Sequence, residues 1–439
     1  MLNKVKSYIS KHNLLDNGKY IVALSGGADS VCLLRMMLAL GYDVEAAHCN
    51  FKLRGEESDR DENFCTNLCS KLNVPIHRVH FDTREYASLH KVSIEMAARD
   101  LRYSYFEQLR VAIGAKGIVV AHHSDDNVET VLLNLIRGTG IYGLEGIKPR
   151  NGNILRPLLC LSRKEIVNYL QIINQDFVTD SSNNVDDVQR NKVRLNLIPV
   201  LQSITPEATK NILSSVENIS QAAKVYSQAI EECIGDCLRG NVLNIERLKT
   251  QSSPETVLYE VLKRYGFSSK TIRQIYENID APSGKTWSNE IYTVAKDRGV
   301  LVIDCLQREE PSIVIPETGF YRINGGGTSV RAQVLPRAEL KAISKEPFIA
   351  TLDAGRVHFP LTLRYVRNGD KFVPYGMKGT KLVSDYLTDR KKNFFQRRQQ
   401  LVVEDATGKI IWLVGERVSN EASISTDTIK VLTLRYSKE

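Results

Sequence analysis

A few short stretches hold residues whose types and spacing suit chemistry. The first is Ser25-Gly26-Gly27-Ala28-Asp29-Ser30. Paired glycines let a backbone approach an anion closely, both serines can donate hydrogen bonds, and the N–H groups opening a helix face negative charge. The chemistry of that stretch is phosphate binding. It is not the lysine-ending loop G-x-x-x-x-G-K-[ST]. The nearest approach to that motif, Gly284-Lys285-Thr286, has Ile279 where the leading glycine belongs. The second stretch is His122-His123-Ser-Asp-Asp126-Asn-Val-Glu129. Asp126 and Glu129 are three apart, so both carboxylates share one helical face with His122 at its mouth. Such a cluster suits a cationic amine or a magnesium ion. A zinc site would want two histidines at helical spacing, and these two are adjacent. Acidic residues in a first turn also serve simply as partners of the helix dipole.

Arg99 and Arg102 are likewise three apart, and either can reach phosphate, meet an acidic partner or sit on an exposed face. The polar run Asp180-Ser-Ser-Asn183, followed by Arg190 and Arg194, reads as a loop entering a helix. It can contact RNA phosphates or cap that helix, and its spacing does not decide which. A different kind of signal lies between residues 361 and 400, with ten Lys/Arg against three Asp/Glu. Nearly the whole net charge of +8 is therefore concentrated there. Tyr365, Phe372, Tyr375, Tyr386, Phe394 and Phe395 are interleaved with the basic residues. Cations neutralise phosphates and aromatic faces stack unpaired bases, so this pattern suits RNA, the alternative being a solvated charged face.

The elements that position these residues follow from periodicity. From residue 19 to about 140, β-branched runs alternate with helical stretches. Strands are expected at 20–24, 44–48, 76–79 and 117–121, and helices at 31–38, 57–72, 94–112 and 125–137. That alternation predicts an α/β fold with a doubly wound parallel sheet, which binds ligands at the carboxyl ends of its strands. Both leading motifs stand at such ends. Ser162-Arg-Lys-Glu165 reads as a capping box. A mainly helical middle domain follows, then a stretch with Gly325-Gly-Gly327 and several prolines that reads as a linker, then a small α+β domain. The expected boundaries are 1–205, 206–310, 311–347 and 348–439.

Length and composition set the outer limits. At 439 residues the chain exceeds one core, since domains run to about 150 residues. The 42% hydrophobic and 25% charged shares exclude wholesale disorder. No apolar run approaches the ~18 residues a membrane span needs, and the N-terminus lacks a secretory signal's apolar core. Eight cysteines without a C-x-x-C pair suggest buried, inert thiols in a reducing cytoplasm.

Taken together, these segments resemble the tRNA(Ile)-lysidine synthases, a family of pyrophosphate-loop ATPases. The resemblance rests on SGGADS, the HCNFKLRGEESDRDE segment from His48, AARDLRY, AHHSDDNVETVLLNLIRGTGIYGLEGI, RPLL at Arg156, and DSSN with RNKVR. Val366-Arg367-Asn-Gly-Asp370, Lys381 and Arg397 extend it to the C-terminal domain. It implies that ATP adenylates the wobble cytidine of a CAU anticodon and that free L-lysine then displaces AMP, giving lysidine. By that resemblance Ser25, Gly26, Gly27, Ala28, Asp29 and Ser30 hold ATP, with Asp29 helping to order Mg²⁺. His122, Asp126, Glu129 and Arg102 bind lysine, with Asp29, Arg102 and Glu129 as the catalytic group. Arg190, Arg194, Arg367, Lys381, Arg390, Lys391 and Arg397 are expected to meet tRNA. The implied partners are tRNA(Ile), free L-lysine and a second copy of the chain as a homodimer, with no membrane. A tRNA thiolation enzyme is the nearest rival, but no paired cysteines accompany Cys49. A synthetase fed by glutamine hydrolysis finds no room for its extra domain before Ser25. A nucleotide-regulated RNA-binding protein without catalysis would release no AMP.

Overall fold

The computed structural model describes residues 1–179, 189–305, 312–323, 328–340 and 342–438. The polar run Asp180–Asn183, expected as a loop, and the glycine run 325–327 lie outside the described residues. The chain divides into two compact units, Met1–Ser227 and Gln228–Glu439.

In the first unit the chain runs α1 (Leu2–Lys11), β1 (Lys19–Ala23), α2 (Ala28–Ala39), β2 (Asp43–Asn50), α3 (Glu56–Lys71), β3 (Ile76–His80), α4 (Thr83–His90), α5 (Ile94–Ala112), β4 (Gly117–Val119) and α6 (Ser124–Ile136). It continues with α7 (Ile141–Leu144), the hairpin β5 (Arg150–Asn151) and β6 (Ile154–Leu155), and α8 (Arg163–Ile172). The sheet order is β3-β2-β1-β4-β6-β5. All pairs are parallel except the edge hairpin β5–β6. The expected sheet is therefore present. Its chain order reverses beside β1, where β2 and β4 flank opposite sides, and that is where such sheets bind ligands.

Period-two alternation in β1 explains why both faces are covered. Tyr20, Val22 and Leu24 join a core with α1, α2, α3 and α8, through residues such as Val5, Leu34, Cys65 and Ile166. Ile21 points the other way, into a second cluster with Ala47, Ile118 and Phe106 of α5. The capping box predicted at Ser162 forms, with Glu165 N donating to Ser162 Oγ (3.2 Å) and Ser162 N donating to Glu165 Oε2 (2.8 Å). After the undescribed residues come α9 (Gln189–Lys192), a π-helical turn (Val193–Leu197), α10 (Ile198–Ile204) and the long α11 (Ala208–Cys237).

The second unit begins with a middle region holding α12 (Ile245–Lys249), α13 (Pro254–Lys263) and α14 (Ser269–Glu277) beside a five-stranded antiparallel sheet. That sheet comprises β7 (Leu238–Arg239), β8 (Val242–Asn244), β9 (Thr286–Ser288), β10 (Tyr292–Asp297) and β11 (Val300–Cys305). Gly240 and Asn241 turn its first hairpin, β7–β8.

The linker expected over 311–347 is corrected. Residues 312–315 form β12 (Ser312–Ile315), which pairs with β16 (Leu361–Tyr365). β13 (Gly319–Ile323) and β14 (Thr328–Pro336) join β15 (Ile349–Asp353) and β22 (Lys430–Lys438) in a four-stranded sheet. β14 faces Val330 and Ala332 inward, each 1% exposed, and leaves Arg331 and Gln333 outside. Glycines and prolines masked that alternation. The two C-terminal sheets enclose a shared core around Leu352, Leu363, Val403, Trp412 and Leu434.

Candidate nucleotide site and basic surface

The Ser25–Ser30 loop turns directly from β1 into α2. Gly26 has φ +89°, a left-handed conformation that disfavours a side chain, and a Cβ there would stand 3.3 Å from Cys65 Sγ. Gly27 caps α2 with extended backbone. The serines brace the loop: Ser25 N donates to Ser30 Oγ (3.1 Å), and Ser30 Oγ donates to the Gly27 carbonyl (2.9 Å). The N–H groups of the first turn of α2 are left to face an anion.

A pocket of about 340 Å³ opens beside this loop, lined in part by Ser25, Gly27, Asp29, Ser30, Arg102 and His122. Cys49, Phe51 and Arg99 also border it. The structure thus brings together six of the expected site residues; Ala28 is fully buried, and Gly26 shapes the turn behind. The Arg102 guanidinium lies over the Phe51 ring, 5.1 Å from its centroid, and Arg99 lies 5.0 Å from that of Tyr103. Two cations beside the loop suit a polyphosphate. Burial pushes the Cys49 thiol up to about 12, so it stays protonated and unreactive at neutral pH.

Asp29 forms an ion pair with Arg163, and Asp125 Oδ2 accepts from Arg163 N (2.9 Å). Asp29 Oδ1 is buried without a hydrogen bond of good geometry. The ion pair with Arg163 is made by this same oxygen. A carboxylate beside the phosphate-binding turn fits magnesium, which commonly takes one or two carboxylates and draws its other ligands from phosphate and water, and the ion would take the place of the guanidinium. Sequence reasoning missed Arg163, which has no distinguishing spacing beyond following the Ser162 cap.

His122 borders the same pocket and is held by Arg156. Arg156 Nε donates to its Nδ1 (3.1 Å), so the neutral ring carries its proton on Nε2. Burial lowers its pKa to about 4, against the opposing pull of Asp126. A neutral ring whose remaining nitrogen is a donor cannot ligate an ammonium. His122, expected to bind lysine, here lines the nucleotide pocket and offers it a hydrogen-bond donor.

Asp126 and Glu129 do share one face of α6, but they form no open acidic pocket. Glu129 is 1% exposed. Arg190 Nε donates to its Oε2 and Arg194 Nε to its Oε1, both at 2.6 Å. Arg190 also donates to Asp126 Oδ1 (2.9 Å). Asp126 Oδ2 accepts from His123 N (2.9 Å) in a capping box. Arg190 and Arg194, expected to meet RNA phosphates, neutralise the acidic pair in this structure. Two carboxylates on a half-buried helix face need cations, and the next helices supply them.

The basic stretch is similarly divided. Lys381 pairs with Asp389, and Arg390 with Glu416 (3.4 Å). Arg397 lies 3.6 Å from the buried carboxylate of Asp297. Phe372 and Tyr386, expected as stacking faces, belong to a small core instead. Among the described residues, Arg367 and Lys391 are exposed without an ion pair, as is Arg398, which sequence reasoning left out of the site.

Residues 1–201 match a PP-loop domain family, and residues 239–306 match the "TilS substrate binding domain". A tRNA(Ile)-lysidine synthase of Bacteroides thetaiotaomicron is 43% identical, covering 98% of this chain and 98% of its own. The chain belongs to the tRNA(Ile)-lysidine synthase family. Family members from Parabacteroides distasonis (42% identical, 99% of this chain and 100% of theirs) and Porphyromonas gingivalis (35%, 99% and 99%) match over a comparable span. The PP-loop match places the Ser25–Ser30 turn within the family's nucleotide-using domain. No described helix is long and apolar enough to cross a membrane.

Proposed function

We propose that this chain ligates free L-lysine to carbon-2 of the wobble cytidine in the CAU anticodon of tRNA(Ile), consuming ATP. The cytidine carbonyl oxygen attacks the α-phosphorus, and pyrophosphate leaves. The lysine ε-amine, having lost a proton, then attacks carbon-2, and AMP leaves with the carbonyl oxygen. The observation that carries this reading is the pocket where the serine-braced loop, Asp29, Arg102 and His122 converge at the strand ends. Loop N–H groups, with Arg99 and Arg102, would offset phosphate charge, and His122 Nε2–H would donate to an oxygen of the nucleotide or adenylate. Mg²⁺, when bound, would further offset that charge, with Asp29 as its protein ligand. Asp126 and Glu129 supply negative charge for lysine, whose ammonium must compete with the guanidinium groups of Arg190 and Arg194. Arg367, Lys381, Arg390, Lys391 and Arg397 belong to a surface that meets tRNA.

The same reading includes the 1–205 catalytic region, a cytoplasmic location and a homodimer, the last checked by sedimentation equilibrium. The decisive experiment combines the chain with ATP, labelled lysine and tRNA(Ile). One AMP per lysine incorporated is expected. Equal AMP release without lysine, and no label in the tRNA, would overturn the reading.

A further inference from the structure

Arg163 stands beside the phosphate-binding turn without belonging to it. It is the first residue of α8, directly after the Ser162 cap. Its main chain is held in place: Arg163 N donates to Asp125 Oδ2 (2.9 Å), and the Ser162–Glu165 capping box fixes the turn around it. Ile166 and Leu170 of the same helix are buried in the core shared with α2. The side chain is freer. It is 43% exposed, and the guanidinium pairs with Asp29.

Asp29 lies in the first turn of α2, whose N–H groups face an anion. The guanidinium therefore stands within a side chain's reach of the place where phosphate is held. A bare carboxylate there would repel phosphate, so a nucleotide beside Asp29 needs a cation on that carboxylate. Arg163 supplies one in this structure, and Mg²⁺ would compete for the same oxygen. An ion pair this exposed is weak, so the exchange costs little. A displaced guanidinium has the polyphosphate as its nearest anion, and its planar fork matches phosphate oxygens two at a time. Placement supports the same outcome. α2 and α8 pack on one face of the sheet and α5, carrying Arg99 and Arg102, on the other, so cations flank the strand ends from both sides.

We infer that Arg163 is a catalytic residue of the adenylation step, which gives up Asp29 to Mg²⁺ and binds the pyrophosphate as it leaves. In that step the bond from the α-phosphorus to its bridging oxygen breaks as the bond from the cytidine oxygen forms. The electron pair departs with pyrophosphate, and the guanidinium, protonated throughout, offsets the charge that gathers there. This rests on the proposed use of ATP with loss of pyrophosphate.

The test uses the full-length chain with Arg163→Gln, which removes the charge, and Arg163→Lys, which keeps the charge but not the fork. Mn²⁺ binding without nucleotide, followed by electron paramagnetic resonance, probes the Asp29 site, and the portion lost in Asp29→Asn defines it. Pyrophosphate binding in the presence of Mg²⁺ is measured by calorimetry. Arg163→Gln should bind Mn²⁺ about threefold or more tightly than wild type, because a competitor is gone. It should bind pyrophosphate about tenfold or more weakly, and its kcat should fall further than its KM for ATP rises. Arg163→Lys should resemble wild type towards Mn²⁺ and recover only part of the pyrophosphate affinity. The melting temperature should barely change in either variant. A purely structural ion pair predicts the reverse pattern, with metal affinity, pyrophosphate affinity and melting temperature falling together. That pattern, unchanged pyrophosphate affinity in Arg163→Gln, unchanged or weaker Mn²⁺ binding there, or no Mn²⁺ binding that depends on Asp29 would each overturn the inference. Incorporation of labelled lysine into tRNA(Ile) by the wild type is assayed in parallel. Failure of the ligase reading appears there, and failure of the exchange appears in the two binding measurements.

Discussion

Asp29 is the residue whose removal should separate chemistry from stability. Its carboxylate is partly exposed, faces Arg163 and supports no buried hydrogen-bond network. Asp29→Ala should therefore lower adenylation by ~10²–10³ with little change in melting temperature. Wild-type turnover in this variant would remove Asp29 from the mechanism. Glu129 differs, because it is buried between two guanidinium groups. Glu129→Gln should cost about 1–3 kcal/mol, less than a fully buried pair because both arginines can turn towards water. Asp126→Asn should cost less, and both should raise the lysine requirement more than the ATP requirement in steady-state kinetics. An effect confined to ATP would place lysine elsewhere. His122 sets a pH dependence. Its pKa is about 4 in the folded chain against an ordinary 6.5, so the folded state binds fewer protons than the unfolded state between those values. Its contribution is complete above pH 6.5 and declines as pH falls towards 4, by up to about 3 kcal/mol. Urea melts across that range should show a shallower acid loss in His122→Asn than in wild type. At this scale the sequence identified residue types well and partners poorly. The i, i+3 carboxylates were legible, but nothing in their spacing reveals that Arg190 and Arg194, more than sixty residues on, neutralise them.

The elements show where periodicity carries information. The first strands and helices were legible because a strand buried on both faces and an amphipathic helix leave different apolar spacings. The expected helix at 94–112 coincides with α5, whereas α4 is too short to give a pattern. The strands from Ser312 to Pro336 were hidden because glycines and prolines dominate their neighbourhood, although β14 alternates cleanly. The phosphate turn is the element most sensitive to one atom. Gly26→Ala would force a side chain into a left-handed backbone and against Cys65. The cost should be about 1–2 kcal/mol, and the Ser25–Ser30 bracing should loosen. ATP affinity measured by calorimetry should drop more than stability does. A variant that binds ATP normally would show that the turn tolerates strain and that the cradle lies elsewhere.

At the scale of the molecule, the boundary drawn at residue 205 cuts through packing that the first unit needs. Ile212 and Leu213 of α11 cover Val128, Leu132 and Val193, so the helix carrying the acidic pair leans on residues beyond that boundary. Tyr226 meets Tyr142 edge to face at 5.6 Å, and Lys11 pairs with Glu217 at 2.7 Å. The sequence could not show this, because α11 is one uninterrupted helix of thirty residues whose first part serves one unit and whose last part serves the other. A fragment ending at residue 205 should therefore expose the Val128–Leu132 cluster. Uncovering two or three apolar side chains costs about 3–5 kcal/mol. For a domain of this size that is roughly 10 °C in melting temperature. A fragment extended through Cys237 should recover most of the loss and bind ATP like the full chain. Thermal melts of both fragments, with ATP titrated into each, check the expectation. If the shorter fragment melts at the same temperature and binds ATP equally well, α11 is a connector rather than part of the catalytic unit.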